Sequence, residues 1–287
     1  MEPEYQERTL TSQDGLKLFY RDYEGPQEPS SGGAIPVLCL PGMTRNSKDF
    51  SYLASRLASD RRVLCPDLRG RGRSNYDADW KNYNPGVYIN DIRHLLTSCG
   101  IHRVHVIGTS LGGILTMVMA VSMPGVIASA VLNDIGPEVG MEGLAGIIGY
   151  MKEDVSFSSW DEVAEYIRSA FPDLPARTEE DWTTIAKNTY RETLDGVMVP
   201  DWDKAIVKQF ETALRTKNDL WPLFKALKNV PVLAVRGAKS WILSDATLIA
   251  MHDAMPSMKS VVVEDCGHPP SLSELHVLEA IDEHLAN

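Results

Sequence analysis

A serine hydroxyl attacks carbonyl carbon only when a neighbouring base removes its proton, and Ser110 and His268 are the pair of residue types that suit this chemistry. Ser110 stands in Gly108-Thr109-Ser110-Leu111-Gly112, a G-x-S-x-G pattern with an apolar run at 104–108 before it and an apolar helix-like stretch at 111–123 after it. A strand that turns abruptly into a helix presses together the positions two residues either side of the serine, so only glycine-sized residues fit there. Gly108 and Gly112 meet that need. The turn exposes the hydroxyl, and a helix starting at Leu111 offers unpaired N–H groups and a positive dipole end to a developing oxyanion. The plain alternative is a glycine-rich turn. A phosphate-binding turn does not fit, because no Lys-Ser or Lys-Thr follows Ser110 and G-x-G-x-x-G is absent from it.

Of seven histidines, His94, His102, His252, His276 and His284 fall on helix-like stretches or their flanks, and His105 falls within a buried strand run. His268 differs in position. It follows the apolar run at 261–263 and lies between Gly267 and Pro269-Pro270, in a loop expected at the edge of the sheet where Ser110 also emerges. An imidazole there takes the serine proton and returns it to a leaving group.

The elements that must position this pair read as one α/β domain. The 287 residues, 44% apolar and 23% charged, suit a soluble globular chain with a large core. Alternating stretches at 5–10 and 16–23 flank Asp14-Gly15 as an antiparallel hairpin. Short apolar runs at 36–40, 62–65, 104–108, 126–133, 230–235 and 260–263 fit strands buried on both faces of a parallel sheet, with helix-like stretches at 48–59, 87–99, 111–123, 245–254 and 271–285 between them. From Ile135 to about Thr216 no strong strand run occurs; several helix-like stretches and many aromatics mark a helical insertion.

Together with Leu40-Pro41-Gly42-Met43, the loop Pro66-Asp67-Leu68-Arg69-Gly70-Arg71-Gly72-Arg73-Ser74 and Gly267-His268, the serine motif resembles the α/β-hydrolase fold superfamily over nearly the whole chain. The resemblance implies an eight-stranded, mostly parallel sheet flanked by helices. Residues 1–136 and 217–287 form this core, and residues 137–216 form a helical cap over the site. It assigns the oxyanion donors to the backbone N–H groups of Met43 and Leu111. Arg69, Arg71 and Arg73 read as a structural loop in which Asp67 and Arg69 hold neighbouring turns. Relatives place the acid that orients the histidine in the loop after the seventh strand, where this chain has Trp241. Asp134, directly after the sixth strand, is the substitute, with a cap or turn residue as its plain reading. Asp245 reads as a helix residue, and Asp265 is too close to His268 in sequence. A relocated acid, a weakened enzyme and an engineered Asp-to-Trp change stay open.

The implied function is hydrolysis of an ester, thioester or lactone through an acyl-enzyme on Ser110. Carbon–carbon bond hydrolysis or non-catalytic ligand binding are the alternatives. Trp241, Trp160 and Trp202 are candidates to line a pocket for an apolar acyl or ring-containing small molecule, against the plainer reading that such aromatics pack helices together. No cofactor or metal is required. A net charge of −11, from 28 basic and 39 acidic residues, disfavours nucleic acid and anionic membrane surfaces as partners. Residues 104–133 lack Asp, Glu, Lys and Arg, but their glycines and Pro124-Gly125 break them into strand, helix and strand. The spacing of Cys39, Cys65, Cys99 and Cys266 suggests free thiols in a reducing compartment. Residues 1–7 show no secretory pattern, so cytoplasm is the expected location.

Overall fold

In the computed structural model, which describes residues 5–26, 34–215 and 219–286, each apolar strand run becomes a strand. The chain start, part of the loop at 25–33 and the expected insertion boundary at 216/217 lie outside the described residues. In chain order the first half comprises β1 (Gln6–Thr11), β2 (Lys17–Tyr23), β3 (Val37–Leu40), α1 (Ser51–Leu57), β4 (Val63–Pro66), α2 (Pro85–Ser98), β5 (Val104–Thr109), α3 (Leu111–Ser122) and β6 (Ile127–Asn133). Then follow α4 (Met141–Lys152), α5 (Trp160–Ala170), α6 (Glu179–Thr189), β7 (Tyr190–Glu192), β8 (Met198–Pro200), α7 (Val207–Arg215), α8 (Trp221–Lys225), β9 (Val232–Gly237), α9 (Asp245–Ala254), β10 (Lys259–Val263) and α10 (Leu275–Leu285).

Eight strands form one sheet in the order β1-β2-β4-β3-β5-β6-β9-β10. The β1–β2 and β2–β4 pairs are antiparallel, and the remaining neighbours are parallel. Alternation along each strand divides the core between two faces. Leu38 and Leu40 of β3 pack into the cluster that holds α2 and α3, whereas Val37 and Cys39 pack into the one holding α1 and α10. Two strands depart from the expected burial. β10 is largely exposed because it borders the sheet and pairs only with β9, and β1 is exposed at the other edge.

The segment between β6 and β9 is mostly helical, with one correction. It also contains the antiparallel hairpin β7–β8, whose three-residue strands are too short to give a period-two signal. The helix expected over 271–285 starts only at Leu275, and that expected over 48–59 is a short 3-10 turn, Ser47–Phe50, followed by α1. Among the described residues no helix is long and apolar enough to cross a membrane. All four cysteines are free, three of them buried.

Candidate active site

Strands β5, β6, β9 and β10 lie side by side, and the loops leaving their C-terminal ends converge. Ser110 follows β5 at φ 51°, in the left-handed region that costs an L-residue energy unless its surroundings enforce it. The surroundings do. A Cβ on Gly108 would collide with the Gly112 carbonyl, and one on Gly112 would collide with that of Leu40, so helix and strand meet backbone to backbone. The Ser110 N–H donates to the Asn133 carbonyl at 2.9 Å, tying the turn to the end of β6.

Asp134 follows β6, also at positive φ (57°), and is fully buried. Its Oδ1 accepts from the Gly237 backbone N–H at 3.0 Å, and its Oδ2 lies 2.7 Å from His268 Nδ1. The other imidazole nitrogen, Nε2, lies 3.0 Å from Ser110 Oγ. Because a carboxylate accepts, Nδ1 carries the hydrogen and Nε2 is left to accept from the serine hydroxyl. Such a chain lets the imidazole take a proton from Ser110 while the carboxylate holds its tautomer. Asp245 instead begins α9 and pairs with Arg236 at 2.7 Å, and the exposed Asp265 pairs with Lys239 at 3.3 Å.

Leu111 is the first residue of α3, so its N–H has no carbonyl one helical turn earlier to accept it. Met43 follows β3 and lines the same cavity as Ser110. Its position is fixed by a residue whose part was not legible in the sequence. Fully buried Arg71 donates from Nε to the Met43 carbonyl at 2.6 Å and from Nη1 to the Arg69 carbonyl and the Tyr88 hydroxyl. Arg69 binds Asp14, Asp77 and Asp91 at once, and Asp67 accepts from the Ser47 and Arg73 N–H groups, so this loop is a scaffold beneath the site. Asn133 likewise carries no signal of its part in the sequence. Its Nδ2 donates to the Pro270 carbonyl at 3.0 Å, pinning the histidine loop.

A cavity of about 450 Å³ opens over Ser110 and His268. One wall is aromatic, with Trp241 stacked on Phe171 (centroids 6.0 Å apart, planes at 11°) and Ile147 and Leu174 nearby. Trp241 fits because α4 offers it a glycine-lined face. A Cβ on Gly143 would lie 2.8 Å from the indole, and one on Gly146 would lie 3.8 Å from it. Another part of the lining, formed by the loop after β3 and the end of α6, is polar and includes Arg45, Asp49, Asn188 and Thr189.

Trp160 and Trp202 do not line this cavity. Trp202 is buried against Tyr150 and Tyr190 and bridges to Arg71 through its backbone, while Trp160 packs on the apolar cluster within the inserted segment. An aromatic in a helical layer has more helix surface than cavity to cover, and packing claimed both. Among the described residues no group of three or more His, Cys, Asp or Glu side chains stands together as metal ligands.

A doubly wound sheet with a serine on its strand–helix elbow and a histidine on a neighbouring C-terminal loop defines a class of hydrolytic enzymes. The chain belongs to the alpha/beta hydrolase family, which it matches over residues 37–280. It is similar to an alpha/beta hydrolase from Novosphingobium aromaticivorans, with 43% identity and a TM-score of 0.91 over 99% of this chain and 98% of that one. It is 29% identical to the 3-hydroxybutyrate-oligomer hydrolase of Cupriavidus necator over 89% of this chain and 88% of the relative. It is also 28% identical to the 2-(acetamidomethylene)succinate hydrolase of Mesorhizobium japonicum, over 83% and 82%.

Proposed function

We propose that this hydrolase cleaves an ester-type bond through an acyl-enzyme on Ser110. His268 is the general base, Asp134 orients it, and the N–H groups of Met43 and Leu111 receive the oxyanion. The observation that carries the reading is the unbroken chain Asp134–His268–Ser110, with contacts of 2.7 and 3.0 Å. Ser110 Oγ attacks the carbonyl carbon as its proton passes to His268 Nε2. That proton then goes to the leaving alkoxide, and water, deprotonated by the same imidazole, releases the acid and restores the serine. The inserted segment acts as a cap that shapes the cavity. The similarity to the 3-hydroxybutyrate-oligomer hydrolase supports short hydroxy-acid esters as substrates. A second reading, hydrolysis of a carbon–carbon bond, is favoured by the similarity to 2-(acetamidomethylene)succinate hydrolase. The free state of all four cysteines supports a reducing, cytoplasmic setting.

The test is fluorophosphonate labelling together with hydrolysis of p-nitrophenyl esters of increasing chain length. Ser110→Ala should fold normally, lose labelling and lose turnover by about 10⁴ or more. Unchanged labelling and turnover in that variant would reject the acyl-enzyme.

A further inference from the structure

We propose that the polar wall of the cavity is a subsite for a substrate carboxylate, with Arg45 as its ligand, so that the substrate is a short ester carrying a free acid group near the scissile carbonyl. The inference rests on the acyl-serine reading for its ester and on separate observations for its carboxylate.

Arg45 lines the cavity from the same loop as Met43, with Gly42 between its side-chain stem and the nucleophile. An atom at the Cβ position of Gly42 would lie 3.4 Å from Arg45 Cγ and 3.8 Å from Ser110 Cβ. All three guanidinium nitrogens are engaged, one edge by a carboxylate and the remaining nitrogen by a hydroxyl. Nε and Nη2 donate to the two oxygens of Asp49 at 2.7 and 2.6 Å, and Nη1 donates to the Thr189 hydroxyl. Those bonds use three of five N–H groups. The Thr189 hydroxyl spends its own hydrogen on the Ile185 carbonyl at 2.6 Å, so it presents Arg45 only with a neutral acceptor, which an anion can replace.

The neighbouring charged groups are committed elsewhere. Lys48 Nζ donates to the Lys187 carbonyl and to Asp201, and Asp181 accepts from the Arg177 and Thr178 N–H groups at the start of α6. One guanidinium can serve more than one carboxylate, as Arg69 of this chain does with three. In the free enzyme Asp49 makes the sheltered cation tolerable and fixes its orientation, which lowers the entropy lost when a carboxylate arrives. The aromatic wall at Phe171 and Trp241 takes the apolar arm of the same substrate.

Two substrate pairs and one titration test this. Mono-p-nitrophenyl glutarate against its methyl ester places the acid on the acyl arm, and 3-acetoxypropanoate against its methyl ester places it on the alcohol arm. In one pair the free acid should be preferred by at least about tenfold in kcat/KM. Arg45→Met should lower that preference by about 10- to 100-fold, mainly through KM. Arg45→Lys, which keeps the charge without the fork, should restore only part of it. Asp49→Asn, which removes the competing carboxylate, should raise the preference and provides the decisive variant if Arg45→Met fails to fold. Calorimetric titration with glutarate reads the same site without turnover. Glutarate binding that depends on Arg45 in a protein whose Ser110 resists fluorophosphonate would overturn the acyl-serine reading and uphold the subsite. Acid and methyl ester used equally in both pairs, or a preference unaltered by Arg45→Met in folded protein, would overturn the subsite.

Discussion

Asp134 meets the imidazole of His268 through its carboxylate, whereas Trp241, in the loop after β9, lines the cavity. β6 and β9 both lie between the serine strand and the histidine strand, so the C-terminal end of either offers a carboxylate a path to the imidazole. The carboxylate in contact with the imidazole comes from the β6 end, while Gly237, the last residue of β9, donates its N–H to the same carboxylate and the following loop sets an indole in the cavity wall. Asp134→Asn should therefore keep the fold and lower kcat by about 10² to 10⁴, since the amide neither stabilises an imidazolium nor enforces the tautomer. Trp241→Asp should add no activity, because His268 Nδ1 already has its acceptor, and removing the indole exposes Phe171. Steady-state kinetics of both variants on one ester, with circular dichroism as a folding control, checks this. A rise in kcat for Trp241→Asp with no effect of Asp134→Asn would assign the acid to the other strand.

Helix α4 carries glycine every third residue, at its N-cap 140 and at 143, 146 and 149, and each of the three interior glycines weakens the helix by roughly 0.5–1 kcal/mol relative to alanine. The neighbours explain three of the four. Gly140 faces the Trp241 carbonyl, Gly143 faces that carbonyl and the indole, and Gly146 faces the outer indole edge. Gly149 is exposed and has nothing within 4 Å of a Cβ. Substitution should separate these roles. Gly149→Ala should raise unfolding free energy by about 0.5–1 kcal/mol in urea titration, whereas Gly143→Ala should lower it by about 1–3 kcal/mol and shift tryptophan fluorescence as the indole is displaced. Equal effects at both positions would mean that the indole does not depend on the stripe. The elbow follows the same logic more severely: Gly112→Ala sets a methyl against the Leu40 carbonyl and should cost at least as much.

Across the whole molecule, two buried histidines make stability depend on pH apart from catalysis. Burial, with lesser effects of Arg61, His284 and Arg103, depresses His105 to about 4, and burial also lowers His284, whose Nε2 donates to the Ala130 carbonyl. Between pH 6.5 and about 4 the unfolded chain binds a proton that folded His105 refuses. Stability is therefore full above pH 6.5 and falls as pH drops through that window, by on the order of 2–3 kcal/mol for His105. Urea midpoints at pH 7 and pH 5 measure the loss, and His105→Gln should shrink the difference. An unchanged pH dependence in that variant would remove His105 as its source.

The sequence alone marked the strands, the elbow and the position of the histidine, because these depend on local rules: apolar runs of strand length, glycines where backbones touch, and a turn at a strand end. It also marked Asp134, yet left it undecided between turn and acid, since the 134 residues separating it from His268 are closed only by strand order. Trp160 and Trp202 show the complementary limit, being of the expected type in the expected segment but facing other side chains instead of the cavity. The clamp of Arg71 on Met43, the bond from Asn133 to Pro270 and the pairing of Arg45 with Thr189 join positions 28, 137 and 144 residues apart. Side-chain direction across such separations follows from how layers pack and which buried polar groups need partners, and these the tertiary structure decided.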